Sequence, residues 1–231
     1  MTERDGLVDG HVFFYGDERL EGILESPGPS AADSPTDLLG GVVVSHPHPL
    51  MGGTMAQPLV YRMAHACREH RMAALRFNFR GVGRSLGGYS GIDEYRDIEA
   101  AAAFLRGRLG PDIPIALAGY SFGSVMTAVA ADGPTPVEAL ALVAFVATMQ
   151  GMPDGALDRL RDFRGPVLAV CGEEDELAPP EVVDAVLRDL RLDLRLIVVQ
   201  GADHFFVGKQ EEVGAAVATF LEGAFRAGRT L

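Results

Sequence analysis

Gly119-Tyr120-Ser121-Phe122-Gly123 follows the largely apolar run Ile113 to Ala118 and precedes a stretch of small residues, Ser124 to Ala131. The order is strand, sharp turn, helix. Glycines flank the turn because a chain that reverses this tightly leaves no room for a Cβ. The turn holds Ser121 in a strained conformation and lifts its hydroxyl off the sheet edge. Ser121 alone also fits an ordinary turn or helix N-cap serine. The flanking glycines and the residues downstream favour a nucleophile.

A serine hydroxyl is a poor nucleophile at neutral pH. It needs an adjacent base, and the base needs an orienting carboxylate. Two later apolar runs end in polar clusters. Pro166 to Cys171 leads into Gly172-Glu-Glu-Asp175-Glu-Leu-Ala-Pro179, and Leu194 to Gln200 leads into Gly201-Ala-Asp-His204-Phe-Phe206. Both clusters fall at the C-terminal ends of predicted strands, where open α/β sheets form their ligand crevice. Ser121, Asp175 and His204 are the predicted nucleophile, acid and base. Asp175 is favoured over Glu173, Glu174, Glu176 and Asp203 because strand-Gly-x-x-Asp is the usual reach in an α/β sheet of this architecture.

Two further motifs stand out. Val42-Val-Val-Ser45 runs into His46-Pro-His48-Pro-Leu50-Met-Gly-Gly53, a loop stiffened by two prolines. His46-x-His48 also fits a metal pair, but a third ligand of suitable spacing is wanting, so no metal is expected. One of these histidines is expected to pack under the loop with a ring nitrogen bonded to backbone. The second motif is Arg76-Phe-Asn-Phe-Arg80-Gly-Val-Gly-Arg84-Ser85. A functional reading has Arg80 or Arg84 binding an anionic substrate. The third glycine falls at Gly87 and misses the dinucleotide spacing, and no phosphate-loop motif occurs, so no cofactor is expected.

Together His46–Gly53, Arg76–Ser85, Gly119–Gly123 and Gly201–His204 resemble a small bacterial group of lidless α/β-hydrolases, near the dienelactone-hydrolase and short-chain carboxylesterase branch. The likeness runs over about residues 40–222. It implies a Ser-Asp-His hydrolase, a structural role for the Arg76–Ser85 turn, and no particular substrate. Serine rather than cysteine at the nucleophile departs from dienelactone hydrolases proper. In such enzymes the residue after the nucleophile and the loop after this strand each give an oxyanion-hole N–H. Those residues here are Phe122 and His48, with Leu50 as the alternative, since Pro47 and Pro49 have no N–H. Larger relatives insert a cap between the strands at Ala139–Phe145 and Val167–Cys171. Only about twenty residues lie between these strands here, enough for a short helix, so an open site is expected. Leu50, Met149 and Phe205 are the candidate substrate contacts. Phe145, Met152 and Phe206 fit pocket wall or core equally well.

The wider pattern is a hairpin at about 11–25, a mobile surface loop at about 26–38, then alternating strands and helices to the C-terminus. Alternation of this kind predicts an α/β fold with a mainly parallel sheet and helices on both faces. With 231 residues and 48% hydrophobic content, one domain over 1–231 is expected. The net charge of −12 argues against nucleic acid and anionic membrane surfaces as partners. Cys67 and Cys171 read as core thiols rather than a disulfide framework. The charged start, Met1-Thr-Glu-Arg-Asp5, shows no signal peptide, and no apolar run approaches membrane-spanning length. A cytoplasmic monomer or homodimer follows as the expectation. The expected activity is hydrolysis of a small or short-chain acyl ester. A thioesterase, amidase or acyltransferase on the same residues, and a non-catalytic binding scaffold, are the alternatives.

Overall fold

A computed structural model describes residues 9–27, 38–147 and 155–229. Met149 and Met152 and most of the predicted 26–38 loop lie outside the described residues. Among the described residues eight strands form one sheet in the order β1-β2-β4-β3-β5-β6-β7-β8. The N-terminal hairpin pairs β1 (Gly10–Tyr15) with β2 (Arg19–Glu25), and β2 runs antiparallel to β4 (Met72–Phe77). From there every pairing is parallel, through β3 (Gly40–Ser45), β5 (Ile115–Tyr120), β6 (Ala139–Val143), β7 (Pro166–Gly172) and β8 (Asp193–Val199).

Strands β3 to β6 are buried along their whole length, which is why they read as continuous apolar runs and not as alternating ones. Adjacent glycines on β3 show what covers the two faces. A Cβ on Gly40 would strike the ring of Phe225 in α6 (Gln210–Gly228). A Cβ on Gly41 would strike Leu109 and Leu105 in α2 (Tyr95–Leu109). Successive strand residues point to opposite faces, so α6 and α2 lie on opposite sides of the sheet. Helix α1 (Pro58–Glu69) packs beside α6, and α3 (Phe122–Ala130) bridges α2 and α4 (Ala156–Asp162). Helix α5 (Pro180–Asp189) rests on β7 and β8.

Helix α4 is the short helix expected between β6 and β7, and residues 144–165 are too few for a cap domain. Cys67 and Cys171 are both buried thiols, each pushed up to about 12 by burial first of all. The face of α6 formed by Val213, Val217 and Leu221 is buried against the core. Among the described residues no helix is long and apolar enough to cross a membrane.

The Arg76–Ser85 turn is held by bonds to itself and to its neighbours. Arg80 donates from its backbone N–H to Asp97 Oδ2 at 2.8 Å and from Nη2 to Asp97 Oδ1 at 2.7 Å. Ser85 Oγ donates to Asn78 O at 2.7 Å and accepts from Glu21 N–H at 3.0 Å. The Arg84 guanidinium lies over the Phe13 ring on β1. Both arginines are thus occupied in holding the turn against β1, β2 and α2.

Candidate active site

The elbow forms where β5 gives way to α3. Ser121 has φ 54° and ψ −118°, a strained conformation for a residue with a side chain. Three contacts hold it there. Ser121 N–H donates to Val143 O on β6 at 2.8 Å, and Ser124 Oγ donates back to Ser121 O at 2.6 Å. Ser45 Oγ, at the end of β3, lies 3.1 Å from both Gly123 O and Thr127 Oγ1. The glycines are required by close approach. A Cβ on Gly119 would sit 2.4 Å from Gly123 O, and one on Gly123 would sit 2.5 Å from His46 O.

The three residues singled out as nucleophile, base and acid meet in one chain of hydrogen bonds. Ser121 Oγ is 2.9 Å from His204 Nε2, and His204 Nδ1 is 2.9 and 2.8 Å from Asp175 Oδ1 and Oδ2. Asp175 Oδ1 also accepts from the N–H groups of Leu177 and Ala178, at 2.9 and 2.8 Å. Burial pushes the Asp175 carboxyl up. The hydrogen bonds from His204, Ala178 and Leu177 outweigh it and leave the group below the ordinary carboxylate range. The ionised carboxylate therefore receives the Nδ1 proton, which leaves Nε2 as the acceptor facing Ser121. The neighbouring acids do other work. Glu173 accepts from Gly201 N–H, Asp203 accepts from Phe205 N–H, and Glu174 and Glu176 are exposed.

His204 is held from behind by Tyr120, whose buried hydroxyl donates to His204 O at 2.9 Å. Burial first, then Asp175 and Asp203, keep that phenol protonated. Phe205 packs edge-on against the imidazole, with ring centroids 5.7 Å apart, and is 63% exposed. Phe206 and Phe145 are fully buried, so both belong to the core.

The loop after β3 splits the two histidines between support and site. His46 is the one packed beneath. Its Nδ1 donates to Pro47 O at 2.6 Å and its Nε2 accepts from Phe79 N–H at 3.1 Å. Burial lowers its pKa to about 4 despite the Pro47 contact, so the ring is neutral. His48 caps a short 3-10 turn, Pro49–Met51, by accepting Leu50 N–H at Nδ1, 3.2 Å away. That bond takes up the Leu50 N–H. Neither His48 N–H nor Phe122 N–H donates to another described residue, and the two rings lie 5.1 Å apart. Phe122 N–H is also the first of helix α3, where the dipole favours negative charge. All four ring nitrogens of the two histidines have hydrogen-bond partners.

Sequence reading missed Tyr89. Its hydroxyl is 2.9 Å from His48 Nε2, and its ring packs on both His48 and Phe122. Nδ1 of His48 accepts from Leu50, so Nε2 carries the proton and donates to the tyrosine oxygen. Tyr89 lies in an irregular Gly-Ser loop, and nothing in its spacing points to His48. A cavity of about 510 Å³ lies at the far end of the sheet, beside Pro114 and Glu138, and none of its lining residues belongs to this site.

Residues 43–227 match a family profile described as an alpha/beta hydrolase domain. The chain belongs to the α/β-hydrolase family. It is similar to an alpha-beta serine hydrolase homologue from Coxiella burnetii, with 30% identity, a TM-score of 0.80 and coverage of 96% of this chain and 98% of that one. A serine hydrolase without a lid from Xanthomonas campestris is 27% identical at a TM-score of 0.78, covering 91% of this chain and 92% of its own. A 2-(acetamidomethylene)succinate hydrolase from Mesorhizobium japonicum is 30% identical over 139 residues, 58% of this chain and 46% of that protein. The lidless α/β-hydrolase architecture agrees with the likeness read from the motifs.

Proposed function

We propose that this hydrolase is a carboxylesterase-type enzyme working by two-step acyl transfer through Ser121. The observation that carries the reading is the continuous relay from Ser121 Oγ through His204 to an ionised Asp175, built on a strained elbow. Ser121 Oγ attacks the ester carbonyl as His204 Nε2 takes its proton. Asp175 keeps the imidazole in the tautomer that can accept it and stabilises the cation that forms. The carbonyl oxygen becomes an oxyanion held by the N–H groups of Phe122 and His48, each contributing about 3 kcal/mol to the barrier reduction. His204 then protonates the departing alcohol. Water, deprotonated by the same nitrogen, attacks the acyl-enzyme and frees the acid and Ser121.

Leu50 and Phe205 are the proposed substrate contacts. Each has an exposed side chain next to a residue of the relay or the oxyanion loop. The reading is tested by turnover of p-nitrophenyl butyrate. Ser121→Ala is expected to abolish it while the far-ultraviolet circular dichroism stays that of the parent. Ester hydrolysis retained in that variant overturns the proposal.

A further inference from the structure

Resting on the reading of Ser121 as the nucleophile, we propose that the site selects uncharged, apolar esters and disfavours the same esters carrying a carboxylate. The first observation is the charge of the site's loops. Residues 45–57, 85–94, 119–131, 172–181 and 200–208 contain neither lysine nor arginine. They do contain Asp93, Glu94, Glu173, Glu174, Asp175, Glu176, Glu181 and Asp203. Among these, Glu173, Glu174, Glu176 and Asp203 are exposed at the ends of β7 and β8, the two strands that deliver Asp175 and His204. The next cation along the chain, Lys209, is paired with Glu212 at 3.6 Å.

The arginines of the Arg76–Ser85 turn do not reverse this balance. Arg80 is bound to Asp97 through Nε and Nη2 and faces Asp17 at 3.7 Å. Arg76 donates to Glu25 and to Met55 O. Arg84 rests on Phe13 of β1, four strand spacings from β5, about 19 Å. His46 and His48 are neutral, by the hydrogen-bond pattern that each ring makes. The nearby charges felt by groups around the site agree in sign. Asp203 acts on Tyr120 on the His204 side, and Glu94 acts on His48 and Tyr89 on the other. A carboxylate entering here meets like charge and no bidentate partner to replace its hydration.

The second observation is apolar. Leu177, Phe205 and Leu50 are 56%, 63% and 73% exposed. Each is fixed by its backbone or ring to the site, through Leu177 N–H on Asp175, Phe205 on the His204 imidazole, and Leu50 N–H on His48. Large apolar side chains held in water around a polar relay are suited to cover the apolar part of a substrate.

The test uses three meta-substituted phenyl acetates bearing a carboxamide, a carboxylate or a trimethylammonium group, each normalised to its alkaline hydrolysis rate. The expected kcat/KM for the carboxylate ester is at least about tenfold below that of the carboxamide in dilute buffer. The gap should narrow in about 1 M salt, where screening falls to a few ångströms. The cationic ester is expected to suffer no such loss. Glu174→Lys with Glu176→Lys, both exposed positions outside the relay, should raise the carboxylate ester selectively and leave the carboxamide ester unchanged. Equal normalised rates, or a preference for the carboxylate, with turnover still dependent on Ser121, overturn this inference alone. Absence of Ser121-dependent turnover on all three esters overturns the nucleophile reading and the inference with it.

Discussion

Replacing Asp175 by asparagine removes one charge and almost no volume, and its consequence follows from the bonds around the carboxylate. Oδ1 accepts two backbone N–H groups, from Leu177 and Ala178, while Oδ2 is the closer partner of His204 Nδ1. The asparagine amide has one oxygen. Turning its NH₂ toward the two backbone donors would leave both of them unpaired in a buried place, at roughly 1–3 kcal/mol each. The oxygen therefore stays on Leu177 and Ala178, and the NH₂ faces His204. Two donors cannot share that contact, so the imidazole moves its proton to Nε2, which then donates to Ser121 Oγ and can no longer take the hydroxyl proton. The base is then in the wrong tautomer. The same substitution in serine proteases costs about 10⁴-fold in kcat, roughly 5 kcal/mol of barrier. The assay is kcat and KM on p-nitrophenyl butyrate, with thermal unfolding as the control. The expected result is a fall in kcat of about 10³–10⁴-fold with little change in KM. A folded Asp175→Asn enzyme within tenfold of the parent would refute the reasoning.

Other outcomes follow from neighbouring contacts. Tyr89→Phe keeps the ring on His48 and Phe122 but loses one hydrogen bond, worth about 1 kcal/mol, so kcat should drop roughly fivefold at near-constant KM in steady-state kinetics. Gly123→Ala drives a Cβ into His46 O and Ser45 O, so urea unfolding should show a loss of about 1–3 kcal/mol or more, with kcat reduced as the oxyanion loop shifts. Buried, neutral His46 binds a proton less readily in the folded chain than in the unfolded one. Its stabilisation is whole above about 6.5, the ordinary value, and is lost as pH falls toward about 4, amounting to roughly 3 kcal/mol in unfolding curves measured across that window. His46→Gln should flatten that slope. Asp175 works at lower pH. Its folded value lies below the ordinary one, so its contribution is present above the usual carboxylate range and fades below it.

The sequence was most legible where one residue type has a single physical use. Glycines at 119 and 123 announce a close crossing, and the crossing is there, with backbone oxygens 2.4 and 2.5 Å from where a Cβ would sit. The runs at Val42, Ala73, Ile115 and Ala139 read as buried strands because both faces of each are covered. Asp175 could be chosen among five acids by its reach from β7, while the reason it wins, two backbone donors from its own turn, is visible only in three dimensions. The division between His46 and His48 was only half legible. The alternating prolines showed a rigid loop, and the choice of which ring lies beneath depends on Phe79 N–H arriving from the next strand's turn. Tyr89 had no local signal, since its partner is 41 positions away and its own loop has no period.

The most direct test of the central claim is covalent labelling with a fluorophosphonate, read by intact mass on the parent chain and on Ser121→Ala. A single adduct on the parent, absent from the variant, is the predicted result, because only a serine activated by His204 and open to solvent reacts in this way. A folded parent chain that takes no adduct, or a variant that still takes one, would contradict the account.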